Sequence, residues 1–376
     1  LIAIPLAAIL MRLGVEMIGV GLIGFGYWGP NLARNFVGAE GAELRYVAER
    51  DTSRHKIIRS LCGSAQVGVG VDEMLADESV HAVVIATPAA SHYDLGLRAL
   101  EAGKHVLVEK PMTSNVREAR RLIETAESRG LTLMVDHTFI YTGAVRYIRS
   151  LIASGALGEI LYYDSTRINL GLFQHDVDVL WDLAVHDLSI MAYLFDEEPV
   201  AVSALGMSHV PGTPTNIAYL TLTFASNRIA HINVNWLAPV KIRRTIIGGS
   251  RKMIVYDDLE PSEKIKIYDK GVHVTNNPDA IQQMRVGYRI GDMLAPNLDA
   301  SEALRSEVQH FIDCVSSGKT PETPGAMGLK VVQILEAASI SMRRGGQLIN
   351  IETLRPGGLA HDSVIGSENA IFSHQG

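Results

Sequence analysis

Twelve residues near the start of the chain constrain its fold more than any other feature. An apolar run over residues 18–24 ends in Gly24-Phe25-Gly26-Tyr27-Trp28-Gly29, and an amphipathic stretch over residues 29–37 follows at once. A strand that passes through G-x-G-x-x-G into a helix is the opening of a dinucleotide-binding unit. Its glycines have separate duties: Gly24 makes the tight turn, Gly26 lets a pyrophosphate approach the backbone, and Gly29 lets the helix lie against the strand. The phosphates then meet unpaired N–H groups at the positive end of the helix. Tyr27 and Trp28 occupy the same turn and are candidate cofactor contacts with the three glycines.

The same strand-and-helix pattern recurs further along the chain. Short apolar runs at residues 44–48, 81–86, 105–108 and 131–135 alternate with helical patterns at 29–37, 91–102 and 115–129. That alternation predicts a parallel sheet covered by helices, with a sixth, weaker strand near residues 66–70. After Tyr141 the pattern changes. Alternating segments at 219–224 and 229–236 flank a Ser226-Asn227 turn and read as a hairpin, with Leu220, Leu222 and Phe224 on one face and Ile232, Val234 and Trp236 on another. Further strands are predicted at 160–168, 201–207, 242–248, 252–256 and 264–268, and helices at 180–195, 301–316 and 327–343. The expected fold class is therefore an α/β Rossmann domain over residues 17–138, followed by an α+β domain over 139–350 with a large, mostly antiparallel open sheet. Residues 1–16 read as an N-terminal extension and 351–376 as a C-terminal tail.

A chain of 376 residues exceeds the size at which single cores stop growing, which agrees with two domains. A net charge of −7 with dispersed basic residues argues against nucleic acid as a partner. The apolar leader is about half as long as a membrane span needs, so no membrane partner is expected. Cys62 and Cys314 lie far apart without metal-ligand spacing, which fits a reducing cytoplasm.

The cofactor candidates continue beyond the glycines. Glu49 ends the second strand twenty positions past Gly29, where a carboxylate hydrogen-bonds a ribose 2′-hydroxyl, and this favours NAD. Arg50 beside it is suited to a 2′-phosphate, which keeps NADP open; a solvated charge at a strand end is the plain alternative. The fourth strand ends in Ala86-Thr87-Pro88, with Ser91 and His92 at the following helix start. Thr87, Pro88 and His92 thus lie at the ligand crevice of such a sheet, unless they form only a strand-to-helix turn.

The fifth strand runs into Glu109-Lys110-Pro111, which puts Glu109 and Lys110 at the edge where a nicotinamide would lie. A cation there stabilises the alkoxide that develops as a hydride leaves a carbinol carbon. In the second domain Asp182 and His186, four residues apart, share a helix face. A dehydrogenase needs a base near neutrality, and an imidazole supplies one. A capping Asp and a satisfied helix histidine are the structural alternative. A metal site from His175, Asp176, Asp178, Asp182 and His186 matches no definite ligand spacing, so no metal is expected.

Taken together, Gly24 to Gly29, Ala86-Thr87-Pro88, Glu109-Lys110-Pro111 and Asp182-x-x-x-His186 resemble the glucose-fructose oxidoreductase, inositol dehydrogenase and MocA family. The resemblance extends over nearly all of the chain after Met17. It implies hydride transfer from a sugar or cyclitol hydroxyl, with Lys110, Asp182 and His186 as the catalytic group. It also implies a homodimer or homotetramer formed through the open sheet. Tyr27-Trp28-Gly29-Pro30-Asn31, Asp136-His137-Thr138-Phe139 and Arg167-Ile168-Asn169-Leu170-Gly171 look more like members that oxidise nucleotide-linked hexosamines at C3. His137, Arg167 and Asn169 become substrate candidates with Asp182 and His186. Glu49 departs from the Asp that many members carry. A cyclitol or free-sugar dehydrogenase, and a non-catalytic dinucleotide sensor, are the competing readings.

Overall fold

In the computed structural model, which describes residues 17–171, 173–174, 176–274 and 286–354, two sheets account for the architecture. The expected leader, most of the expected tail and His175 lie outside the described residues. The first sheet contains β1 (Ile18–Ile23), β2 (Ala42–Ala48), β3 (Gln66–Gly68), β4 (Ala82–Ile85), β5 (His105–Glu109) and β6 (Leu133–Asp136) in the order β3-β2-β1-β4-β5-β6. Every pairing within it is parallel. Every residue of β1, β4 and β6 is buried, which explains why these strands read as unbroken apolar runs. Helices α1 (Gly29–Val37), α2 (His55–Leu61), α3 (Asp72–Ala76), α4 (His92–Glu101) and α5 (Val116–Ser128) connect them. Asn115 starts α5 by accepting a bond from the Glu118 N–H. The strand order reverses between β1 and β4, so the carboxyl ends of these strands open a crevice.

A helix not anticipated from the sequence, α6 (Gly143–Ala153), leads into the second sheet. That sheet consists of β7 (Ile160–Leu170), β8 (Pro199–Met207), β9 (Ile217–Phe224), β10 (Ile229–Asn235), β11 (Leu237–Gly249), β12 (Met253–Asp257), β13 (Ile265–Val274), β14 (Val286–Leu294) and β15 (Ile349–Asn350). Their order is β14-β13-β12-β11-β7-β10-β9-β8-β15, and only the β7–β10 pairing is parallel. The hairpin is present with Thr223 opposite Ile229, and its predicted inward residues are buried. β14 and β15 were not among the predicted strands. The helix expected at 180–195 starts as a π-helical turn, Leu180–Ala184, before α7 (Val185–Leu194).

The remaining helices, α8 (Ala303–Ser317) and α9 (Gly325–Arg343), come next along the chain. α8 returns to the first sheet. Leu304, Val308, Phe311 and Ile312 share a core with Leu32 and Phe36, and the Phe36 and Phe311 rings meet edge to face at 6.4 Å. Between the two helices, Val135 N–H donates to the Thr323 carbonyl at 2.9 Å. Among the described residues no helix is long and apolar enough to cross a membrane.

Candidate active site

The glycine turn separates what the protein needs from what a ligand needs. Gly24 has φ of +92°, and a Cβ there would stand 2.6 Å from the Ala86 carbonyl oxygen. A Cβ on Gly29 would meet the Gly24 oxygen at 2.6 Å. Both glycines are therefore required by the fold itself. A Cβ on Gly26 finds nothing nearer than an Arg54 guanidinium nitrogen at 4.0 Å. The protein leaves that space open, and Trp28 at the start of α1 offers its first-turn N–H groups no side-chain cap. These features fit a dinucleotide phosphate. Gly26→Ala is thus expected to leave the melting temperature within about 2 °C of wild type while raising the Kd for NAD at least ~10-fold. Calorimetric melting and titration on the same sample check both halves.

Around this turn, Phe25 N–H donates to Glu49 Oε2 at 2.6 Å and Asp51 N–H to Glu49 Oε1 at 2.8 Å. The Glu49 carboxylate therefore braces the turn, a duty beyond the ribose contact expected of it. Arg50 is exposed, whereas Arg54, which was not among the expected site residues, donates to the Phe25 carbonyl at 2.8 Å. No local spacing signals Arg54; only the fold brings the short helical turn Thr52–Arg54, ahead of α2, to the glycines. Tyr27 and Trp28 project beside it with ring centroids 5.9 Å apart.

His92 corrects an expectation. Its ring is buried, with Nε2 against the Thr87 carbonyl and Nδ1 against the Pro111 carbonyl, both at 2.8 Å. The neutral ring carries one N–H and donates to one of these carbonyls at a time, but both nitrogens face protein, and the residue sits between the loop after β4 and the loop after β5 rather than presenting itself to a cofactor. Thr87 receives a hydrogen bond from Ser91 Oγ. Glu109 is likewise buried and turned away from the crevice expected for it, its Oε2 accepting from the Lys110 N–H at 3.0 Å.

Across the crevice the two halves meet. Lys110 Nζ donates to the Asp182 carbonyl at 3.0 Å and to Asp182 Oδ1 at 3.2 Å. Trp236 Nε1 donates to Asp182 Oδ2 at 3.2 Å. Both carboxylate oxygens are therefore held, and the ammonium is fixed at the end of β5. One turn further along the helix, His186 Nδ1 has no hydrogen-bond partner. Desolvation, then the positive charges of Lys110, Arg167 and Arg243, hold the His186 imidazole well below the usual histidine range. The ring is neutral at pH 7 and packs edge to face on Phe139 at 5.0 Å.

The substrate candidates divide. His137 is buried and neither ring nitrogen has a partner; burial, aided by Lys110, lowers its pKa to about 3. Its neutral ring can donate from one nitrogen and accept at the other. Arg167 does not stand free as expected. It is buried in an ion pair, Nε to Asp187 Oδ2 at 2.7 Å, with its guanidinium carbon 4.5 Å from the Phe139 ring centre. Its strand face turns inward rather than to solvent, and the carboxylate that compensates it comes from α7, far away in sequence. Only Nη1 of Arg167 lacks a partner. Asn169, two residues on, is half-buried near the outer end of β7. Among the described residues no group of three or more His, Cys, Asp or Glu side chains is arranged to hold a metal ion.

A glycine turn at the switch of a parallel sheet, facing a fixed ammonium and a neutral imidazole, defines an NAD-dependent oxidoreductase. The chain belongs to the GFO/IDH/MocA oxidoreductase family: the model of its NAD-binding Rossmann fold matches residues 18–137 and that of its C-terminal domain residues 145–255. It is 30% identical to the oxidoreductase YdgJ of Escherichia coli K12, over 85% of this chain and 95% of that protein. It is 26% identical to UDP-N-acetylglucosamine 3-dehydrogenase of Acidithiobacillus ferrooxidans, over 86% of this chain and 95% of that enzyme. The structure of a levoglucosan dehydrogenase with NADH and levoglucosan superimposes with a TM-score of 0.77 at 20% identity, covering 89% of this chain and all of that one.

Proposed function

We propose that this protein oxidises a secondary hydroxyl of a sugar, or reduces the corresponding ketone, and that its substrate is a nucleotide-linked hexosamine acted on at C3. The observation that carries the reading is the Lys110 ammonium, locked on Asp182 across the crevice and close enough to His186 to depress its basicity. Gly24, Gly26 and Gly29, with Glu49 behind them, would hold NAD, which when bound supplies the hydride acceptor. Lys110 then stabilises the oxygen as it gains negative charge, and neutral His186 takes the hydroxyl proton. Asp182, with both oxygens held, orients the ammonium. His137, buried without a protein partner, is suited to a neighbouring substrate hydroxyl. The balance is one hydride to the cofactor and one proton to His186, leaving a ketone.

Support for the nucleotide-sugar assignment comes from the resemblance to UDP-N-acetylglucosamine 3-dehydrogenase over most of both chains. A dinucleotide sensor would need the glycine turn but not the Lys110–Asp182–Trp236 arrangement. Exposed Leu205, Met207 and Tyr219 on the second sheet support assembly through its open face. The test is NADH formation, followed by absorbance, across UDP-N-acetylglucosamine, free hexoses and myo-inositol. Turnover is expected with the nucleotide sugar at a kcat/KM at least ~100-fold above the others; preference for myo-inositol would sink the substrate assignment.

A further inference from the structure

Behind Lys110 lies a cluster that the reaction does not use. Glu109 ends β5 and Asp136 ends β6, paired across the two strands, and Glu307 reaches them from α8. Their exposures are 6%, 4% and 0%. Three carboxyl groups buried together are not all charged, because among the described residues none of them has an ion-pair partner and the nearby Lys110 ammonium is paired with Asp182. Donors are also scarce. Asp136 accepts from the Thr138 hydroxyl and Glu109 Oε2 from the Lys110 N–H. Glu109 Oε1 and both oxygens of Glu307 have no hydrogen-bond partner among the described residues, and the Thr138 hydroxyl that lies near Glu307 is already bonded to Asp136. The fold nevertheless brings the three together: Glu109 and Asp136 are register partners on β5 and β6, and Leu304 and Val308, flanking Glu307 on α8, share a core with Met134, Ile140 and Tyr141. A bond between two carboxyl groups needs a proton in it.

We infer that Glu109, Asp136 and Glu307 form a proton-sharing triad with two protons and one negative charge, and that Glu307 is thereby a positioning residue for the loops bearing Lys110 and His137. Each glutamic acid donates to Asp136, which also accepts from Thr138 and carries the charge. Burial pushes both glutamates well above the usual carboxylate range; it also raises Asp136, but hydrogen bonding, first from the Thr138 hydroxyl, offsets part of that effect. The other groups facing the triad are the Lys110 ammonium and the Tyr141 hydroxyl. The single negative charge favours the Lys110 ammonium from behind, and a shift of either loop breaks a bond to Asp136.

The positioning role rests on the part proposed for Lys110, but the protonation does not, so the two fail separately. Infrared absorption of protonated carboxyl groups is measured at neutral pH on the whole enzyme, wild type against Glu307→Gln and Glu307→Leu. Surface carboxyls are ionised there and do not contribute. A signal in wild type that falls in both variants is expected. The glutamine amide can replace the shared proton as a donor to Asp136, so kcat should stay within about twofold of wild type in Glu307→Gln. In Glu307→Leu kcat should fall about tenfold with the KM for NAD unchanged. Absence of the protonated signal in wild type overturns the triad. Equal impairment of both variants, or none in the leucine variant, overturns the positioning role.

Discussion

Lys110→Ala should lower kcat by about 10²- to 10³-fold, the range seen when one preorganised donor to a developing oxyanion is removed, while the Kd for NAD changes by less than about threefold. The separation stems from the architecture. The ammonium reaches across to Asp182 on the second domain, whereas the glycine turn is braced by Glu49 and Arg54 on the first. Nothing that holds the turn depends on the Lys110 side chain. Stopped-flow hydride transfer and equilibrium NAD titration check the two numbers; a variant with wild-type turnover would refute the role.

Replacing the imidazole, His186→Asn, should cost about 10²- to 10⁴-fold in kcat, the usual contribution of a positioned general base. Its pH behaviour has a definite sign. In the fold the ring is held well below the usual histidine range, first by desolvation and then by Lys110. The free enzyme's kcat/KM should therefore remain level through pH 6.5 and decline only in more acidic buffer; an acid limb centred at or above 6.5 would contradict this. Stability obeys the same linkage. The unfolded chain takes up a proton on this ring below about pH 6.5 and the folded chain does not, so His186 favours unfolding progressively as pH falls below that value. His137 adds to the trend down to about pH 3. His186→Asn should flatten the fall in melting temperature between neutral and acid pH.

Much of the fold is legible in the chain because the relevant signals are local. The glycine turn is contiguous, and buried parallel strands announce themselves as unbroken apolar runs. Lys110 and Asp182 are each legible from position, one at a strand end and one at a helix start. The bond between them depends on how the halves pack. α6 was not predicted although Thr142 caps it and Ala144, Val145 and Ile148 face the core, because it falls where the pattern changes after Tyr141 and long alternating segments dominate. β14 and β15 are edge strands; residues 290–294 of the first are exposed and the second is only two residues long, too short to show an alternation. The harder failures are long-range. The partners of Arg167, His92 and Trp236 come from 20, 5 and 19, and 54 positions away, so no local spacing reveals which polar group is spoken for. Buried polar atoms must find partners, but only the fold says which.

The return of α8 to the first sheet also bears on how such an enzyme can diversify. Phe311 and Ile312 complete the core begun by Leu32 and Phe36, and Glu307 reaches the strand ends behind the ammonium. A recombination event that replaced everything after residue 138 would carry off part of the first domain's own wall. An exchange of the sheet-forming middle of the chain alone, bounded on both sides, would leave that wall intact while its two ends stay together.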